Sequence, residues 1–316
     1  MLAGAHCASR RSGVLPVARN RVRRVIKIAQ ELGSQPEVWL EAAALAGEAA
    51  DRLPDRGERV AVVGCGTSLY VAQAAASWRE RDGSGETDAF PASEMPAGRR
   101  YNRYVAITRS GTTTEVLEAM QRTAGPWLLL TADARQPASL HAAATIALPF
   151  ADEESVVQTR FATACLALWR AHLGHDVAGV AEEGRRAVEA GLPASARSAG
   201  QFVFIGRGPA AAIASEAALK LREAAGCWTE AYPSMELRHG PISGVGPDTL
   251  VWSLDELDPE LADDVRATGA SVESGSLDPM AELVRVQRVA VELAQARGLD
   301  PDRPKHLARS VILAPH

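Results

Sequence analysis

The sequence predicts an α/β fold of two successive parallel sheets, each wound with helices. Two observations predict it. Short, wholly apolar runs alternate with stretches of strong helix formers, as in βα units whose strands are covered on both faces. The unit Val60-Ala-Val-Val-Gly64-Cys-Gly66, followed by an Ala-rich stretch, also returns 142 residues later as Phe202-Val-Phe-Ile-Gly206-Arg-Gly208, again before an Ala-rich stretch. Such self-similarity indicates an internal duplication. With 316 residues, 47% of them hydrophobic, the chain is long enough for two compact domains.

Residues 1–26 carry Arg10, Arg11, Arg19, Arg21, Arg23 and Arg24 with little apolar periodicity. They lack the apolar region of a secretory signal and read as a disordered leader or the product of an upstream start codon. A helix starts near Ser34, with Pro36 close to its first position, and an Ala-rich helix follows over 40–52. The first strand covers 59–64 and a second Ala-rich helix follows Ser68. Gly64-Cys-Gly66 hints at a dinucleotide site, but Leu69 stands where a third glycine belongs, and no ribose-binding acidic pattern supports it. Thr67 and Ser68 instead bring hydroxyls and free N–H groups to a helix N-terminus, a seat for an anion.

The next strand, 104–108, runs into Arg109-Ser110-Gly111-Thr112-Thr113-Thr114, and a helix opens at Glu115. One N-cap needs one or two hydroxyls; this turn has more, and reads as a phosphate loop of neutral donors. Strands follow at 127–131 and 145–149, and Glu153–Arg160 opens a helix. A glycine-rich helical connection over 172–200 places the boundary between halves near 190–198, giving a first unit of 27–195 and a second of 196–316. The second unit continues with strands at 202–206, 249–254 and, weakly, 270–272, a helix over 279–297 and a closing apolar run, 310–313.

A net charge of −5 gives no reason to expect nucleic acid or an acidic membrane surface. No apolar run reaches the ~18–20 residues that span a bilayer. Cys7, Cys65, Cys165 and Cys227 form no CxxC pair and no metal spacing, so neither metal nor cofactor is expected and the thiols suit a reducing cytoplasm.

The chemistry concentrates in 212–241. Glu216, Lys220 and Glu223 fall at i, i+4 and i+7, on one helix face, and His239 precedes a Gly-Pro break. Two carboxylates, an amine and an imidazole so close in sequence could move protons. They read equally as a solvated face with ordinary i,i+4 pairs and a loop histidine.

The run Glu-Ala-Ala-Leu-Lys-Leu-Arg-Glu (216–223), then Glu-Ala-Tyr (230–232) and Glu-Leu-Arg-His-Gly-Pro (236–241), resembles the sugar isomerase (SIS) family, in particular the isomerase domain of glucosamine-6-phosphate synthase and the stand-alone amino-sugar-phosphate deaminases. The resemblance covers roughly 27–314 and implies two tandem SIS subdomains, each a flavodoxin-like three-layer unit. It implies that Glu223 shuttles a proton between C1 and C2, that His239 opens the sugar ring, and that Lys220 and Glu216 handle the hydroxyls and hold the network. Ser68, Thr108, Ser110 and Thr113 would grip the phosphate, with Thr67 beside them, and Val156 would line the sugar. Thr108 replaces the family's first loop serine, and Arg160 replaces a lysine. Arg309 stands where the synthase has its imine-forming lysine; a guanidinium cannot take that role, and Arg309 is expected to bind the substrate instead. A homodimer with shared sites is implied, because the family histidine enters the neighbouring subunit's site. The readings in competition are a phosphosugar isomerase or deaminase, an ammonia-dependent synthase with a partner, a non-catalytic phosphosugar sensor and an NAD-dependent enzyme.

Overall fold

The computed structural model describes residues 26–314; the leader expected at the N-terminus lies outside them except for Ile26. Two short helices, α1 (Lys27–Gly33) and α2 (Gln35–Glu48), precede the first sheet. That sheet takes β1 (Val60–Gly64), β2 (Thr87–Pro91), β3 (Arg103–Ile107), β4 (Trp127–Thr131) and β5 (Ala144–Ala147), with α3 (Thr67–Arg81) after β1 and α4 (Thr114–Arg122) after β3. Three helices lead out of it: α5 (Arg160–His172), α6 (Val177–Glu189) and the single turn α7 (Ser195–Ser198). The second sheet comprises β6 (Gln201–Gly206), β7 (Trp228–Pro233), β8 (Thr249–Ser253) and β9 (Ser271–Glu273). Its helices are α8 (Pro209–Ala225) after β6, α9 (Pro259–Ala267) after β8, and α10 (Pro279–Ala296) at the end.

All pairings are parallel, in the order β2-β1-β3-β4-β5 and β7-β6-β8-β9. The first is the flavodoxin-like 2-1-3-4-5 order, and the second is the same order without a fifth strand. Side chains alternate across each strand. Val60, Val62, Val105, Ile107, Leu128 and Leu130 enter one core cluster while Ala61, Val63, Tyr104, Ala106 and Leu129 enter another. In the second sheet Phe202, Phe204, Leu250 and Trp252 face the former cluster, and Val203, Ile205 and Val251 a third. The largest cluster therefore lies between the two sheets and joins them through α2, α3, α5, α6, α8 and α10.

The duplication runs further than the apolar strands reveal. Two strands not foreseen, β2 and β7, are equivalent edge strands: Gly64 pairs with Pro91, and Gly206 with Pro233, at the same 142-residue offset. Their sequences, Thr-Asp-Ala-Phe-Pro and Trp-Thr-Glu-Ala-Tyr-Pro, are mostly half-exposed. They end in proline, which an edge tolerates. Gly66 and Gly208 cap α3 and α8 with nearly identical dihedrals, φ 55° with ψ −123° and φ 55° with ψ −124°. The segment expected to open a helix at Glu153 differs. Helix α5 begins only at Arg160, because 153–159 forms a loop folded around the Glu153 carboxylate. Glu153 Oε1 accepts from Thr159 N, Thr159 Oγ1 and Arg160 N at 2.5, 2.7 and 2.9 Å, capping the helix from outside it.

The tight strand-to-helix turns make a test. A Cβ on Gly206 would lie 2.5 Å from the backbone carbon and oxygen of Ala210, whereas one on Gly47, an exposed position of α2, would meet nothing within 4 Å. Gly206→Ala is expected to destabilise the fold by about 1–3 kcal/mol and Gly47→Ala to stabilise it by about 0.5 kcal/mol. Urea titrations check both: the midpoints should move in opposite directions with unchanged slopes.

Candidate active site

Helices α3 and α8, the equivalent elements of the two halves, pack on each other in opposite directions. The end of α3 reaches the start of α8, where Arg81 sits against Gly208. The start of α3 meets the middle of α8, where Thr67 Oγ1 donates to Glu216 Oε1 at 3.2 Å and accepts from Lys220 Nζ at 2.9 Å. Lys220 Nζ also lies 3.3 Å from Glu216 Oε1 and 2.6 Å from Glu223 Oε2. The side chains of Lys220 and Glu216 are 1% and 4% exposed, and that of Glu223 is 19% exposed. This is not a solvated face. The row passes from a buried carboxylate through a buried ammonium to a carboxylate that reaches open space.

Burial sets the proton affinities. It pushes the Glu216 carboxyl up to about 7, Glu223 adding to the rise while Lys220 and Thr67 oppose it. For Lys220 burial works toward the neutral amine, but Glu216 and Glu223 outweigh it and hold the ammonium above its ordinary value. Glu223 lines a cavity of about 460 Å³ with Arg222, Gly226, Leu299, Lys305 and His306. The C-terminal segment thus forms the far wall in front of the half-exposed carboxylate.

A second cavity opens beside Thr67, at the C-terminal ends of β1 and β3. Ser68, Thr108, Ser110 and Thr113, which the resemblance groups together, line it with Cys65, Arg109, Gln158 and Arg309. Thr67, grouped with them in the sequence, turns its hydroxyl to α8 instead. The loop is held open by its own hydroxyls: Gly111 N donates to Thr108 Oγ1 at 3.2 Å and Thr112 N to Ser110 Oγ at 3.2 Å. Gly111 adopts φ 64°, and a Cβ there would strike the Gln136 side chain at 2.5 Å. Burial pushes the Cys65 thiol up, Glu115 adding to the effect, so it faces the cavity neutral.

Arg109 and Gln158 were not singled out from the sequence. Arg109 is buried against Glu153 at 3.4 Å and donates to the carbonyls of Ser155 and Val156 at 3.0 and 3.2 Å. Its Nε and the Gln158 Oε1 are buried without a hydrogen-bond partner. The signal in the sequence was position: Arg109 lies inside the hydroxyl turn and Gln158 two residues after Val156. Val156 itself is clasped by its backbone, between Asp302 O and Arg109. His239 stands apart from the row. It is exposed, follows the 3-10 turn Ser234–Arg238 after β7, and its ring has no hydrogen-bond partner among the described residues. Among those residues no group of His, Cys, Asp and Glu could hold a metal ion, and no helix is long and apolar enough to cross a membrane.

The raised Glu216 carboxyl sets a pH dependence with a definite sign. Its folded affinity for the proton exceeds the ordinary value near 4.5, so the stability it contributes is complete below that pH and is lost as pH rises to about 7. The stability of the natural chain relative to Glu216→Gln should therefore fall between about pH 4.5 and 7. Denaturant midpoints of both chains at several pH values check this, and parallel curves would remove Glu216 from the buried row.

Comparison with known proteins adds to this geometry. Residues 196–267 match the model of the SIS domain. A glutamine–fructose-6-phosphate aminotransferase (isomerizing) of Neisseria meningitidis is 29% identical over 80% of this chain and 51% of its own length. One of Aeropyrum pernix is 36% identical over 37% of this chain and 24% of its own. The chain thus spans about half the length of these curated relatives or less. Among solved structures, a glucosamine-6-phosphate deaminase of Thermotoga maritima has a TM-score of 0.74 and 24% identity, covering 91% of this chain and all of the other. A tagatose-6-phosphate ketose/aldose isomerase of Escherichia coli has a TM-score of 0.72 and 18% identity, covering 92% and 97%. Residues 196–267 thus match the SIS domain model, and about nine-tenths of the chain shares the fold of those two solved structures.

Proposed function

We propose that the protein is an enzyme, an SIS-type aldose–ketose isomerase or deaminase acting on a hexose or hexosamine phosphate such as glucosamine 6-phosphate. The observation that carries this reading is the contact between halves: the Glu216–Lys220–Glu223 row meets α3 at Thr67, next to the hydroxyl-lined cavity at Ser68. A phosphate seated at Ser68, Thr108, Ser110 and Thr113 anchors the far end of a sugar chain. Its reacting carbons then extend toward α8, with Val156 and the C-terminal segment as walls.

In this reading Glu223 removes the proton from the carbon beside the carbonyl, the one that bears the hydroxyl or the amine. The electron pair moves into the new C=C bond and the carbonyl oxygen takes up a proton. Glu223 then gives its proton to the former carbonyl carbon while the hydroxyl on the deprotonated carbon loses its proton and becomes the new carbonyl, interconverting aldose and ketose. With an amino sugar the same shift yields an imine, which water hydrolyses to release ammonia and the ketose. Lys220 stabilises the developing charge on oxygen, and Glu216 holds Lys220 in place and protonated. His239 opens the sugar ring. Because it is exposed after the turn that follows β7, with no hydrogen-bond partner for its ring among the described residues, it serves the site of a second subunit in a homodimer. Arg309 cannot form an imine with the substrate, and neither isomerisation nor this deamination requires an imine to the protein.

Two measurements test the reading. Glu223→Gln keeps shape and sugar-phosphate binding, and should lose deuterium exchange at the substrate C–H by about 10²–10⁴-fold. Full exchange in that variant removes the base from the proposal, and tight binding by the natural chain without any exchange favours a phosphosugar sensor. Mixing His239→Ala chains with Glu223→Ala chains should restore part of the activity that each lacks. No recovery in verified mixed dimers places both residues in one subunit's site.

A further inference from the structure

We propose that Arg309, delivered by the C-terminal segment, is the cation of the hydroxyl-lined cavity and a direct ligand of the anion bound there. This rests on the reading of that cavity as a phosphate seat. The residues that line it include two cations and no Asp or Glu. One of the cations, Arg109, has its charge matched by the buried Glu153 carboxylate, and its guanidinium is committed to the carbonyls of Ser155 and Val156. Nearby, Glu115 adds negative charge felt at Cys65. A dianion entering this space finds hydroxyls and backbone amides but no unmatched positive charge from the loop itself. Arg309 brings a further cation, paired only at the rim with the half-exposed Asp152.

The guanidinium is held at the rim rather than sealed in. Its side chain is 42% exposed, and it donates to Glu153 O and Asp152 Oδ1 while Nε has no partner among the described residues. An anion in the cavity competes with the exposed Asp152 for the planar fork of donors, which suits phosphate oxygens two at a time. The segment that carries Arg309 is fastened to the phosphate loop. Ser310 Oγ lies 3.1 Å from Ser110 Oγ and 2.9 Å from Thr112 Oγ1. Val311 O accepts from Thr114 N at 3.2 Å, taking one of the free amides in the first turn of α4, and Leu313 N donates to Thr114 Oγ1 at 2.9 Å. These bonds fix the residue next to Arg309 against the loop, so the guanidinium is placed by the same turn that supplies the hydroxyls.

The test is direct binding of inorganic phosphate and of a hexose 6-phosphate, by calorimetry, to the natural chain, Arg309→Ala, Arg309→Lys and Ser110→Ala. Arg309→Ala should weaken both ligands by about tenfold or more, the loss of one charge-assisted pair. It should also flatten the salt dependence of binding. Arg309→Lys should recover part of the affinity, because it returns the charge without the fork. If Arg309→Ala binds phosphate within twofold of the natural chain while Ser110→Ala is weakened, Arg309 is not a ligand and the cavity reading survives. If the natural chain binds neither ligand, the cavity reading falls and this assignment falls with it.

Discussion

Lys220 puts an ammonium where water does not reach, and the packing of the two halves depends on how that charge is answered. Its side chain is 1% exposed, and its partners come from three turns of structure: Glu216 and Glu223 from its own helix and Thr67 from the other half. A buried charge without partners is among the costliest features a fold can contain, and losing one partner of such a set is strongly destabilising. The start of α3 therefore cannot drift from the middle of α8 without taking Thr67, one of three partners, from a buried ammonium. That constraint holds the hydroxyl-rich loop and the charged row in register, although they come from different halves of the chain.

The same logic appears at the edges of the site. Asp302 accepts from the first two amides of α1, Lys27 N and Ile28 N, at 3.0 and 2.9 Å. Glu31, in α1, receives Ser155 and the amide of Glu154, and Glu153 closes the start of α5. The C-terminal segment is thus bound to the first half, on which it also places Arg309. These acids read as surface residues by type, yet Glu31, Glu153 and Asp302 are buried because each answers helix or loop amides that water would otherwise have to reach.

What the sequence made legible follows from which signals are local. The inner strands β1, β3, β4, β6 and β8 are nearly continuous apolar runs because helices cover both faces, and such runs are visible without a fold. The edge strands β2 and β7 are not, since Asp88 or Glu230 in an edge strand is compatible with any exposed loop; only pairing to a neighbour makes them strands. The i, i+4, i+7 row was visible as a face of α8, but whether that face met solvent was decided by α3, a partner far off in sequence. The start of α5 was misplaced because a carboxylate seven residues ahead of Arg160 does the capping that a local Ser or Thr usually does. Arg309 reads from the sequence as a substrate-binding residue in the place of an amine, and only the fold of the C-terminal segment shows that it lines the hydroxyl-rich cavity.

The two copies of the strand–glycine–helix unit have taken different courses. In the second copy the turn after β6 is already occupied from within: Arg207 N donates to Asp255 Oδ2 at 3.0 Å, and Ser253 fixes the other oxygen of that carboxylate at 2.9 Å. The chain's own acid fills the seat that the first copy leaves lined with hydroxyls. Conversely, the helix of the second copy carries Glu216, Lys220 and Glu223, where the first has Ala74, Trp78 and Arg81. The hydroxyl-lined cavity thus belongs to the first copy and the charged row to the second. Neither can stand in for its twin, so a lesion in either unit has no backup elsewhere in the chain, and the apparent redundancy of the architecture gives no genetic buffering.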